Sequence, residues 1–172
     1  RDLRALLMPL GLCETVSREL ATELLGAEGW ARARRWLSDN DFLVESHDES
    51  GVRLNPLLRE FLRREFASGD PAGFHAKAAV AIRHAEHSGA LADAVELAHA
   101  FDDGEAAALL IETHGALLLQ EGRFRLLERA FAGVPRASVV ARPRLRALRV
   151  RLLAHLGQHE EAEKEAGEVI AD

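Results

Sequence analysis

The amino-acid sequence predicts a mainly α-helical protein in two parts: a compact helical module with a small β-hairpin, then a stack of helical hairpins. Three observations lead there. Leu, Ala, Glu and Arg dominate the 172 residues, Tyr is absent and Pro occurs only five times, a composition that favours helix over sheet. Apolar residues recur at spacings of three and four along most of the chain. Gly89, Gly122 and Gly157 punctuate the second half at intervals of 33 and 35 residues.

The elements follow in order. Leu3 to Leu12 reads as a helix ended by Pro9 or Gly11. Val16 to Leu25 reads as a second, with Ser17 or Thr15 as its cap and Gly26 after it. A third runs from about Gly29 to Ser38, with Trp30, Ala33 and Leu37 on one face. Phe42–Glu45 and Val52–Leu54 are short strand-like pieces on either side of the turn-forming segment Ser46–Gly51. A further helix begins at Pro56, a favoured first helical position, and runs through Leu57, Leu58, Phe61, Leu62 and Phe66. Three helices, a small hairpin and a helix describe a winged-helix module over residues 1–67.

Ala67-Ser68-Gly69-Asp70-Pro71 breaks the pattern, because Gly and Pro so close together stop one helix and start another. From residue 71 to 172 each of the three spaced glycines has a long amphipathic stretch before it and a shorter one after it. Five positions beyond them stand Ala94, Leu127 and Ala162; nine beyond stand Ala98, Phe131 and Ala166. A period near 34 residues suggests helix pairs of the tetratricopeptide kind, here roughly 71–101, 103–133 and 142–171. Their apolar faces are Phe74, Ala78, Ile82 and Ala85, then Leu110, His114 and Leu117, then Leu145, Leu148, Leu152 and Leu156. One pair cannot bury such a stripe alone, whereas stacked pairs share a continuous core. The last helix, Glu160 to Ala171, offers only Ala162, Ala166, Val169 and Ile170 for burial and is expected to present an unfinished edge.

Composition and motif content narrow the function classes. The single cysteine, Cys13, excludes an internal disulfide and suits a reducing compartment. No apolar run approaches the ~18 residues of a membrane span, so the expected location is the cytoplasm with no membrane partner. The first residue is Arg and the only Met lies inside an apolar run, which suggests a piece of a longer protein. No Gly-Lys-Ser/Thr triplet or HExxH occurs. His155 and His159 are four apart but separated by Gly157, and His84 and His87 read as solvent-facing; no metal site is expected. No nucleophile and base lie near each other in sequence, so no catalytic residue is assigned and an enzyme is the least expected class.

Charge raises two further questions. The third helix carries Arg32, Arg34 and Arg35, the place a winged helix would use in a major groove. Glu28, Asp39 and Asp41 flank it and Asp48 and Glu49 make the wing acidic, so phosphate repulsion argues against direct DNA contact. Farther on, nine arginines and one acid occupy 123–151, while 160–172 holds six acids and one base. Arg142, Arg146 and Arg149 are therefore the candidate partner or ligand surface; the alternative is ion pairing with Glu160, Glu161, Glu163 and Glu165 on the following helix.

The phrase Val52-Arg53-Leu54-Asn55-Pro56-Leu57-Leu58-Arg59-Glu60-Phe61-Leu62-Arg63-Arg64 resembles the end of the winged-helix module in MalT-type regulators. These belong to the large LuxR-family branch of the signal-transduction ATPases known as STAND proteins. Leu37–Val44 is similar to that family's lead into the wing, and Ala92–Ala98 to its helical-repeat start. The resemblance implies a relay. An upstream ATPase domain binds ATP or ADP, this module packs against it, the repeats receive a small-molecule or protein effector, and a downstream helix-turn-helix binds promoter DNA. It also implies a nucleotide-proximal position at Asn55, where the family usually has histidine; an amide there can donate a hydrogen bond but carries no charge, and Asn55 equally suits the cap of the Pro56 helix. No cofactor is expected within these residues themselves. Two other readings stay open: a stand-alone helical-repeat scaffold for protein partners, and a DNA-binding winged helix with a helical dimerisation arm.

Overall fold

The computed structural model describes residues 3–47 and 51–171, without the side chains of 41, 46, 47 and 168–171. The protein is mainly α-helical with one small antiparallel sheet, a winged helix followed by helical repeats. Two compact units divide it, residues 1–84 and 85–172.

In the first unit, α1 (Leu3–Leu7) gives way to a 3-10 turn over Met8–Leu12. The expected single helix over Leu3–Leu12 therefore changes its winding where Pro9 lacks an N–H to donate. The turn packs on α3 (Pro56–Gly69), and the approach is so close that a Cβ on Gly11 would lie 2.8 Å from the Cβ of Leu62. Only glycine fits there. A strand that the sequence reading lacked, β1 (Thr15–Ser17), then leads into α2 (Arg18–Asp39). The Ser17 side chain caps α2 by accepting the Leu20 N–H at 3.1 Å. Gly26, at φ 74°, bends α2 into the two helical arms read as separate helices in the sequence. Trp30, Ala33 and Leu37 are buried, as their spacing required.

The wing is made by β2 (Val44–His47) and β3 (Gly51–Leu54), paired antiparallel with an irregularity between Val44 and Ser46. β3 also pairs with β1, so the sheet order is β1-β3-β2. The first wing strand begins two residues later than expected, because Asp41–Leu43 forms a 3-10 turn that leaves Phe42 outside the sheet. The acidic tip residues Asp48 and Glu49 lie outside the described residues. Asn55 closes the wing onto α3, its N–H donating to the Leu43 carbonyl at 2.9 Å.

Helix α4 (Pro71–His87) starts at the Gly-Pro break, yet the first compact unit continues through it to His84 rather than ending near residue 67. Side chains account for that. Phe74 meets Phe66 edge-on at 5.6 Å, Ala78 and Ala81 are buried, the Lys77 ammonium donates to the Leu24 carbonyl, and His84 hydrogen-bonds into α2.

In the second unit, α5 (Leu91–Ala100), α6 (Gly104–Gln120), α7 (Phe124–Ala132), the short α8 (Arg136–Val140), α9 (Pro143–His155) and α10 (His159–Ala171) follow. The three glycines mark equivalent bends. Gly89, Gly122 and Gly157 have φ of 79°, 70° and 77°. Each donates to a carbonyl three residues back, and the next residue donates five back: Ala90 to Ala85, Arg123 to Leu118, Gln158 to Leu153. This is the Schellman closure, which satisfies the last carbonyls of a helix and needs a left-handed residue. Ala94, Leu127 and Ala162, five residues beyond, are all buried at the start of the returning helix. Leu110, Ile111, Leu118, Leu127, Leu145, Leu148 and Leu152 form the shared interior. Leu117, expected on the buried face of α6, is 48% exposed, and His114 instead pairs with Glu86 at 2.9 Å.

Candidate functional site

The first module carries its candidate contact surface on α3. That helix is amphipathic, but its apolar residues divide between two faces. Leu62 and Phe66 are buried, whereas Leu57 and Phe61, one turn apart, are 82% and 53% exposed. Phe42, in the 3-10 turn whose Leu43 carbonyl receives the Asn55 N–H, is 74% exposed. Each large apolar side chain left in water forgoes roughly 1.5–3 kcal/mol of transfer free energy, and the neighbouring pair Leu57 and Phe61 makes this side of α3 the candidate contact surface. In the sequence Leu57 and Phe61 belong to the same helix as Leu62 and Phe66, with nothing local to separate the two pairs. A helical wheel alone does not reveal which side the turn at Met8–Leu12 covers.

Asn55 stands at the N-terminus of α3 beside this surface. Its side-chain oxygen accepts the Leu57 N–H at 2.9 Å, and Pro56 fills the first helical position. The amide therefore serves as the helix cap, and its Nδ2 is the group that could face anything else.

Of the basic residues around α9, Arg142 and Arg149 form ion pairs within the second unit and Arg146 is buried, whereas Arg144 and Arg151 are exposed. Arg149 meets Glu165 at 3.1 Å and Glu161 at 3.8 Å on α10. Arg142, at the start of α9, pairs with Glu105 and, at 3.7 Å, with Glu112, both on α6. Arg146 is buried, 7% exposed. The ion pairing anticipated with the following helix is thus present at Arg149, while Arg142 turns to an earlier helix that sequence proximity did not suggest. His155 stacks on Phe124 with centroids 4.8 Å apart, and His159 begins the next helix across the Gly157 bend. Among the described residues no three His, Cys, Asp or Glu side chains cluster as metal ligands, and no helix is long and apolar enough to cross a membrane.

Arg32, Arg34 and Arg35 are all exposed on the second arm of α2, with Glu28 and Asp39 exposed beside them. Glu28 and Asp39 stand four residues before Arg32 and four after Arg35, so the basic group is short and flanked by an acid at each end.

Ser17, at the start of α2, lies 3.3 Å from Nε2 of His84 on α4, and Nδ1 of the same ring lies 3.0 Å from Glu23. His84 is therefore half-buried and doubly hydrogen-bonded rather than solvent-facing. A separation of 67 residues between Ser17 and His84 gave no local signal.

The order β1, bent α2, wing and α3 is the connectivity of a winged helix, and residues 1–74 match the family model of the MalT winged helix domain. This part of the chain is a MalT-type winged-helix module. Neither a curated protein nor a solved structure matches the chain. In the MalT-type module the matched span runs past α3 into the first turn of α4, to Phe74, the residue whose ring packs on Phe66.

Proposed function

We propose that the chain is the relay segment of a MalT-like, LuxR-family transcriptional regulator of the signal-transduction ATPase class. In this reading the winged-helix module docks on an upstream ATPase domain, which holds the ATP or ADP, and the tetratricopeptide-like repeats receive a small-molecule or protein effector. Promoter binding belongs to a downstream domain, and the protein works in the cytoplasm. The match of residues 1–74 to the MalT winged helix domain carries the reading. Two features support it: helical hairpins follow the module directly, and Leu57 and Phe61, one turn apart on α3, leave apolar surface exposed of the kind a neighbouring domain covers.

A relay of this type is a two-state device. An effector acts only through its different affinity for the closed and open arrangements, so weakening a contact made only in the closed state favours the open one. In the full-length regulator, Leu57→Ser combined with Phe61→Ser is expected to raise reporter transcription several-fold without effector. Unchanged basal and induced transcription, at unchanged protein abundance, would rule the docking face out. A native reading frame lacking both a phosphate-loop motif upstream and a helix-turn-helix downstream would remove the relay reading itself.

A further inference from the structure

We infer that Ser17, His84 and Glu23 form a proton relay that makes the Ser17 hydroxyl an acceptor for acyl groups from small activated esters. The inference is independent of the regulatory reading and rests on the first module alone.

Glu23, as a carboxylate, only accepts hydrogen bonds, so its 3.0 Å approach to Nδ1 of His84 places the ring proton on that nitrogen. Nε2 is left with a lone pair, and Ser17 Oγ lies 3.3 Å from it. These are the relations of a nucleophile, its base and the group that orients the base. The backbone adds a second component. Ser17 is the N-cap residue of α2, and the N–H groups of Arg18 and Glu19, in the first turn, have no acceptor within the helix. First-turn N–H groups of this kind suit the negative charge that a carbonyl under attack would develop. The Leu20 N–H, 3.1 Å from Oγ, also favours the oxygen as it loses its proton. Ser17 is half-buried, the His84 side chain is 21% exposed and that of Glu23 52%, so a small ester has access.

The step balances without a further reagent. Ser17 Oγ forms a bond to the acyl carbon of p-nitrophenyl acetate, its proton passes to His84 Nε2, and the bond to p-nitrophenolate breaks with the electron pair leaving on that oxygen. The imidazolium then returns its proton to solvent. The product is acetyl-Ser17.

The competing account gives Ser17 only the roles of helix cap and tether between α2 and α4, in which case its hydroxyl is as inert as any other. Ser68 supplies the internal standard, being an exposed serine whose hydroxyl donates to the Glu65 carbonyl. The folded wild-type chain is treated with p-nitrophenyl acetate and, separately, with a fluorophosphonate, and labelling of the two serines is compared by peptide mass spectrometry. Ser17 is expected to label at least about tenfold faster than Ser68, with the difference vanishing in denaturant. In His84→Gln it should fall to the Ser68 rate, and in Glu23→Gln several-fold. Equal labelling of Ser17 and Ser68 in the folded wild type overturns the inference. So does fast Ser17 labelling that persists in a folded His84→Gln variant.

Discussion

Arg149 on α9 stands 3.1 Å from the Glu165 carboxylate on α10, with the two side chains only 28% and 17% exposed. Of the five arginines in 142–151, Arg149 ties the last helical hairpin together through its ion pairs with α10, while Arg142 pairs with α6. A double-mutant cycle with Arg149→Ala and Glu165→Ala should give a coupling of about 0.5–1 kcal/mol by chemical denaturation, larger than that of Arg125 with Glu128, whose pair is more exposed. The coupling should shrink at high salt. Coupling indistinguishable from zero would return Arg149 to the set of side chains available to a partner.

Asn55 tests the cap against the nucleotide-facing role. Asn55→Ala should destabilise the module by about 1 kcal/mol, and Asn55→Asp should leave stability nearly unchanged, because aspartate caps a helix as well as asparagine. If the residue only caps, Asn55→Asp in the full-length protein also leaves nucleotide affinity unchanged. A marked loss of ADP binding with intact folding would place the side chain against the phosphates instead.

The three bend glycines should respond alike. At Gly89, Gly122 and Gly157 an added Cβ meets nothing within 4 Å, so substitution tests backbone conformation alone. Each Gly→Ala change should cost roughly 1–2 kcal/mol, the penalty of holding an L-residue in the left-handed region. Gly115→Ala differs in kind. Its Cβ would lie 3.0 Å from Leu148 Cδ1 between α6 and α9, so the loss, about 1–3 kcal/mol, comes from overpacking. Replacing Leu148 with Val in the same chain should relieve part of it, whereas no second-site change of that type should rescue Gly122→Ala. Thermal unfolding of the four variants checks both statements.

DNA binding is the cheapest alternative to exclude. Arg32, Arg34 and Arg35 are exposed but flanked by the acids Glu28 and Asp39 on α2, so a gel-shift titration of residues 1–172 should show no retarded duplex even at low salt. Retardation that falls steeply with added salt and is abolished by Arg34→Ala with Arg35→Ala would assign the module a nucleic-acid role.

Local chemistry was easy to read. Pro56 after Asn55 announced a capped helix, and the spaced glycines announced helix ends, because a Schellman closure depends on one residue's φ and on carbonyls at most five positions away. The hydrophobic pattern fixed most of the interior for the same reason: periodicity records which face of a helix is apolar. It failed at Leu57, Phe61 and Leu117, which are apolar and exposed, since periodicity does not record whether anything covers that face. It failed again at Thr15–Ser17, where three residues are too few to show alternation and the strand exists through its pairing with β3.

The sequence by itself determined the helical hairpins, their bends and a winged-helix module, all of which follow from torsional preferences and side-chain order along a single stretch of chain. Only the tertiary structure decided what distant residues do to one another: that Arg142 meets Glu105 and Glu112, that the first compact unit extends to His84, and that Ser17, His84 and Glu23 meet. Those contacts depend on how separate elements pack, and a side chain's partner across 37 or 67 residues leaves no trace in its own neighbourhood.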